Sequence, residues 1–382
     1  MSIKENNMAL ADVGGNVRRY MKINGYSIPQ LAEKSSMGKA TLSNLLNGKG
    51  SPNSSTLLKI ADALHVSLTD LIADTPKLVT VRFRTQKTLT AREIAKRDHL
   101  LIDAREWLTN YQSLEKELNI HAKYLFENNT FSSPKEAASY VREKFKLRAD
   151  EPIYDIVRCV TDCGIKIRLH KFGLSKTFGI SIGKNDGGPA IVVNSDDKIS
   201  MERKRFTVAH ELGHLLLHSD SFDGICTEEN PKEEKEANSF ATELLMPQNA
   251  FLDKLKEYRG ISWIDAVLYI KQYFGVSYKT VLYRLSEKMS DETMYQKFNT
   301  LYNTRYHHDL KDNYEPNPFD ERNLTPAKDE PEHIHSLPFE DERFAGLVRQ
   351  AYEAEKISIS RATEMLDVSI EEMRERIGSW LK

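Results

Sequence analysis

The sequence predicts an α+β fold, mainly helical, built from more than one domain. Three observations predict it. At 382 residues the chain exceeds what one ordinary hydrophobic core holds. Apolar residues recur at three- and four-residue spacing along most of its length, which marks helices with one buried face. Alternating apolar and polar runs are confined to a few short segments between 77–85 and 165–195, enough for a small sheet only.

Composition narrows the class. Hydrophobic residues make up 40% and charged residues 29%, a soluble globular balance. The formal net charge of -2 gives no global attraction for nucleic acid, so local charge has to supply it. Three cysteines, Cys159, Cys163 and Cys226, form no disulfide framework; they read as buried thiols in a reducing compartment. No run reaches membrane-spanning length, so the expectation is a cytoplasmic protein with no membrane partner.

Residues 14–73 read as a set of five short helices. Ser27 and Gln30 form an S-x-x-Q capping box that opens a helix through Lys34. Ser36-Met37-Gly38 makes a turn, Lys39 to Leu46 the next helix, and Gly48 stops it. Thr56 to Leu64 and Leu68 to Ile72 complete the set. Between Gly14 and Ile72 there are seven Lys/Arg against three Asp/Glu, the right sign for phosphate contact. Residues 74–132 form a connector, with a strand or extended piece at Lys77–Thr85 and helical spacing from Thr90.

Ser133-Pro134 starts the largest segment, 133–289. A helix ends at Gly164, "IKIRLHKF" alternates as a strand, and "TFGISIG" and "AIVVNS" flank the hairpin turn Asn185-Asp186-Gly187-Gly188. Helices follow over Ser200–His218 and Pro231–Met246, the second stopped by Pro247, and continue to about Met289. Residues 290–338 are helical, then an acidic linker that holds five of the thirteen prolines. Residues 339–382 form a C-terminal helical module. His307-His308 and His333-x-His335 read as linker histidines.

The stretch "RFTVAHELGHLLLHSD", Arg205 to Asp220, carries chemistry. Residues four apart on a helix differ by about 40°, so His210 and His214 face the same way and both reach one Zn²⁺ at about 2.0–2.1 Å. Glu211, beside the first histidine, is placed to take a proton from an attacking water. Val208, Leu212, Leu215 and Leu216 make this helix apolar, and burying its polar groups without a partner is costly. The HExxHxxGxxH pattern is excluded, because Leu217 stands at the glycine position and Asp220 at the last histidine. His218, one turn further on, reads as a histidine behind the site. In "NPKEEKEANSFATELLMP", Asn230 is a cap, and Ala237, Phe240, Ala241, Leu244 and Leu245 mark the buried stripe. Glu233 and Glu236 both border that stripe, and periodicity does not choose between them.

"RFTVAHELGHLLLH", "EKEANSFATELLMP" and "YFGVSYKTVLYRL" together resemble the ImmA/IrrE family of metallopeptidases, across roughly 133–288. The resemblance implies a thermolysin-like (gluzincin) zinc peptidase domain with Glu236 as third ligand. It also implies an endopeptidase that relieves repression by cutting a repressor protein. By analogy with thermolysin-like enzymes, "AIVVNS" is expected to pair with an extended substrate. "LAEKSSMGKATLSNLLNGKGSPN" resembles the Xre/Cro-type helix-turn-helix domain, with Ile28 where a glutamine often stands. That resemblance points Lys39, Thr41 and Asn44 towards base edges of double-stranded DNA and Arg18, Arg19 and Lys49 towards phosphate. The combined expectation is a homodimeric regulator on an inverted-repeat operator, cleaving another repressor or itself, with 73–89 the self-cleavage region. The alternative is a repressor or antitoxin whose peptidase-like domain senses a ligand or partner without proteolysis.

Overall fold

The structure, a computed structural model, describes residues 13–24, 26–46, 52–72, 78, 80–83, 90–120, 122–174, 177–219, 224–226, 230–307, 309–310, 315–316 and 339–380. The chain divides into two compact units, one of residues 1–78 and 87–107, the other of 79–86 and 108–382.

The first unit contains α1 (Val13–Asn24), α2 (Ile28–Lys34), α3 (Lys39–Leu46), α4 (Ser54–Leu64) and α5 (Leu68–Ile72). Each helix is too short to be stable alone, so packing must hold it. Val17, Leu31, Leu42, Ile60, Leu64 and Leu71 supply that core. The backbone N–H of Ser27 donates to Gln30 Oε1 at 2.8 Å, which fixes the start of α2. Gly14 lets α1 approach α3, since a Cβ there would lie 2.7 Å from the Leu45 carbonyl oxygen. Asn16 and Asn24 then donate to the carbonyls of Leu71 and Leu64. The long helix α6 (Ala91–Leu118) contributes residues to both units.

In the second unit a five-stranded sheet has the order β2-β4-β3-β1-β5. Its strands are β1 (Thr80–Phe83), β2 (Lys166–His170), β3 (Gly179–Ile182), β4 (Ala190–Asn194) and β5 (Gly224–Cys226). The β3–β4 hairpin turns through Lys184–Asp186, with Gly187 at φ 89, a left-handed conformation that glycine adopts without steric cost. β1, expected in a connector, is instead an interior strand, antiparallel to β3 and parallel to β5. β4 is paired on both sides, antiparallel to β3 and parallel to β2. The expectation that β4 pairs with a substrate backbone is therefore corrected: its hydrogen-bonding edges are both used.

Helices α7 (Pro134–Lys144), α8 (Ile156–Asp162), α9 (Met201–Leu217) and α10 (Pro231–Leu245) pack with the sheet around one core. α11 (Gln248–Glu257), α12 (Trp263–Phe274), α13 (Tyr278–Met289) and α14 (Met294–Tyr306) extend it. Side-chain caps mark the starts of the two central helices: Ser200 Oγ accepts from Arg203 N, and Asn230 Oδ1 from Lys232 N. Cys159 and Cys163 are free thiols, both pushed up to about 11 by burial, as structural thiols should be. The C-terminal helices are α15 (Glu342–Glu353), α16 (Ile359–Leu366) and α17 (Ile370–Trp380). They dock within the second unit: Phe344 stacks on Tyr111 at 5.5 Å, and Arg361 donates to Asn110 at 2.6 Å.

Arg205, on α9, is fully buried and was not singled out from sequence. Its guanidinium donates to the carbonyls of Gly275 (3.2 Å), Tyr154 (3.0 Å) and Ile153, joining two loops to the helix. Burial pulls its pKa down to about 10, so it stays charged at neutral pH. Arg205→Met leaves three carbonyls unsatisfied and should cost about 3 kcal/mol or more. Thermal unfolding of the second unit checks this. Arg205→Lys should not restore the midpoint, because one ammonium does not span three acceptors as the planar fork does.

Candidate metal centre

α9 is buried along nearly its whole length, and that includes its polar groups: His210 is 0%, Glu211 1% and His214 2% exposed. The imidazoles turn the same way, with Nε2 atoms 2.9 Å apart. α10 lies against α9 with Ala237, Phe240, Ala241 and Leu244 in the interface core, and Gly213 permits the approach, since a Cβ there would meet Phe240 at 2.9 Å. That packing brings Glu234 to the histidines. Its carboxylate oxygens are 3.4 Å from His210 Nε2 and 3.1 Å from His214 Nε2.

Among the described residues, His210, His214 and Glu234 are the group of ligand-type side chains whose donor atoms all lie within 4.8 Å of one another. Glu236, expected as the third ligand, is placed elsewhere, with Oε2 3.0 Å from His218 Nε2. The reason is helical geometry: Glu236 is about 100° from Ala237 around α10, whereas Glu234 is about 60° from it on the side of Ala241. Glu233 also leaves the site, pairing with the buried Arg82 of β1.

The donor set fits a cation. Asn238 Oδ1 lies 3.0 Å from His210 Nδ1, so the ring carries its proton there and presents the Nε2 lone pair to the cluster. Burial lowers the His214 pKa, an effect partly opposed by the Glu234 carboxylate beside it, and so favours the neutral ring. Lone pairs and a carboxylate turned towards one point repel one another until a positive charge stands between them. Two neutral imidazoles and a carboxylate are a zinc-type set.

Glu211 turns its carboxylate to strand β3. Ser181 Oγ donates to its Oε2 at 2.8 Å, and Gly179 leaves it room, because a Cβ there would lie 2.7 Å from Glu211 Oε1. Phe206 flanks His210, ring centroids 6.3 Å apart, and with Phe178, Arg203 and Lys279 it lines a cavity of about 360 Å³. Sequence reasoning missed Glu234, Asn238, Ser181 and Arg82. The signal for the first two was available: they are four apart and share a flank of the stripe. Ser181 and Arg82 come from strands distant in sequence and carry no such signal.

The other expected residues lie in the first unit. α3 buries Leu42, Leu45 and Leu46 and exposes Lys39, Thr41 and Asn44. Arg18, exposed, donates to the Leu46 carbonyl from Nε (3.2 Å) and Nη2 (3.0 Å), which ties α1 to the end of α3. The side chain of Arg19 and the whole of Lys49 lie outside the described residues, as do His308, His333 and His335. Among the described residues no helix is long and apolar enough to cross a membrane.

Comparison with protein families agrees with both parts. Residues 160–286 match the IrrE N-terminal-like domain of the M78 peptidases, and residues 17–71 match a helix-turn-helix family. The chain thus carries an Xre-like helix-turn-helix segment and an IrrE/ImmA-like peptidase segment together. M78 peptidases are generally zinc-dependent. No curated protein matches the chain.

The tight contact at Gly179 is directly testable. Gly179→Ala places a methyl 2.6 Å from Thr207 Cγ2 and against Glu211, and such overpacking costs about 1–3 kcal/mol. The expected result is a lower thermal midpoint for the second unit, and Gly179→Ala combined with Thr207→Ser should recover part of it.

Proposed function

We propose that this chain is a DNA-binding transcriptional regulator whose second unit is a zinc endopeptidase that relieves repression by cutting a repressor protein. The observation that carries the reading is the buried cluster of His210, His214 and Glu234, with Glu211 buried next to His210 on the same helix, in a chain that also bears a helix-turn-helix segment. His210, His214 and Glu234 hold the metal. Zinc held there supplies Lewis acidity for a peptide carbonyl and makes water a better proton donor at neutral pH.

Glu211 does the proton work. Ser181 Oγ donates to its Oε2 and orients the carboxylate, which accepts a proton from the attacking water and returns it to the leaving nitrogen. Burial of the site excludes bulk water and strengthens these interactions. The cavity beside Phe206 receives a side chain of the substrate. The substrate is a repressor protein, and the chain's own N-terminal domain is the first candidate. That domain binds a double-stranded operator as a homodimer on an inverted repeat, reading bases from α3 with Lys39, Thr41 and Asn44.

The decisive comparison is native chain against Glu211→Gln, each incubated with zinc, the isolated N-terminal domain and candidate repressors, and read by intact mass. The native chain should yield a fragment. The variant should lose at least about 100-fold in rate while keeping one zinc per chain. Equal cleavage by both would remove the assigned role of Glu211. Absence of cleavage with operator binding intact would favour the sensing alternative. On the DNA side, Asn44→Ala should cost about 1–3 kcal/mol of discrimination for the operator selected from the gene's own promoter. Titration by fluorescence anisotropy at two salt concentrations checks it.

A further inference from the structure

His218 follows the last turn of α9 and is 7% exposed. Its Nδ1 is 3.0 Å from His214 Nδ1, and its Nε2 is 3.0 Å from Glu236 Oε2. An ionised carboxylate only accepts, so the hydrogen of the outer bond belongs to His218 Nε2. A neutral imidazole protonated at Nε2 accepts at Nδ1, so the hydrogen of the inner bond belongs to His214 Nδ1. These two bonds together leave His214 with its lone pair on Nε2, the atom that faces His210 and Glu234.

We infer that Glu236 and His218 form a two-step relay that sets the tautomer and ring orientation of His214 for metal binding, with Glu236 a positioning carboxylate and not a ligand. The inference rests on the metal-site reading above. A histidine side chain in water prefers its proton on Nε2, the wrong nitrogen here, so a buried His214 needs an acceptor at Nδ1. His210 has its acceptor in Asn238. One helix therefore supplies Glu234 to the cluster, Asn238 to one ring and Glu236, through His218, to the other. The relay ends near water: the Glu236 side chain is 36% exposed, with Lys232 Nζ at 3.9 Å from its other oxygen. A carboxylate placed there avoids the penalty of full burial.

The test is zinc binding by the full chain in competition with a chromophoric chelator, with metal content measured after dialysis. His218→Leu fills the space but accepts nothing; it should retain one zinc per chain and bind it about 10- to 100-fold more weakly. His218→Asn keeps an acceptor for His214 Nδ1–H and should restore most of that loss, which a purely packing role would not. Glu236→Gln should weaken binding by a smaller factor and keep the stoichiometry. Long-range ¹H–¹⁵N spectra of histidine-labelled protein stripped of metal should show His214 protonated at Nδ1 in the native chain and at Nε2 in His218→Leu. Native affinity in His218→Leu, or equal weakness in His218→Leu and His218→Asn, overturns the relay alone. Loss of all zinc from Glu236→Gln with zinc retained in Glu234→Gln also overturns it, and restores Glu236 as the ligand. A native chain that binds no zinc overturns the metal-site reading and this inference with it.

Discussion

The second unit depends on the burial of α9. A helix with His210, Glu211 and His214 almost wholly removed from water pays a desolvation penalty for each polar group that lacks a partner. No helix can satisfy such groups from its own backbone, so neighbouring elements must be aimed at them. Asn238 and Glu234 come from α10, and Ser181 comes from β3. Loop carbonyls at Ile153, Tyr154 and Gly275 take Arg205, one turn earlier on the same helix. Removing any of these leaves a buried group unmet, which ties the folding of the unit to the assembly of its site.

The same constraint explains which parts of the site are legible in sequence. Spacing along one helix is local, so His210, Glu211 and His214 follow from a 3.6-residue repeat and nothing else. The choice among the acids of α10 is also local but finer. Angles around the helix separate Glu234 from Glu236 by about 160°, whereas a resemblance in motif carries no such angle. Glu234 and Asn238 share a flank with Ala241, and that flank turns to α9 because Gly213 and Ala237 allow the backbones close together. Glu236 lies off that flank and reaches His218 only because His218 stands beyond the last turn of α9.

The sheet marks where sequence reading stops. β2, β3 and β4 were legible from alternation and from the Asn-Asp-Gly-Gly turn. The parallel partners were not: β1 with β5, and β2 with β4, join residues far apart in sequence, and three-residue β5 has no pattern to detect. β1 was visible as an extended piece, but its place between β3 and β5 follows from backbone groups that only the assembled sheet supplies. Arg82 shows the consequence: an ordinary basic residue by sequence, it is buried and paired with Glu233 at the start of α10.

That placement of β1 constrains any release of the N-terminal domain by cutting between 73 and 89. Val81 is fully buried, Val81 and Arg82 are paired on both sides, and Thr80 and Phe83 on one, so these bonds are not presented as an extended free chain. A protease needs its substrate extended in the active site, and extracting β1 would break both ladders and the Arg82–Glu233 pair. A cut after Phe83 leaves β1 attached to the departing fragment, which must then tear the strand from the sheet or stay bound to it. A cut before Thr80 leaves β1 in the sheet, with Arg82 and α10 as they were, on a fragment no longer covalently joined to α1–α5. If the chain is its own substrate, relief of repression with a peptidase still intact afterwards therefore requires the scissile bond on the N-terminal side of Thr80.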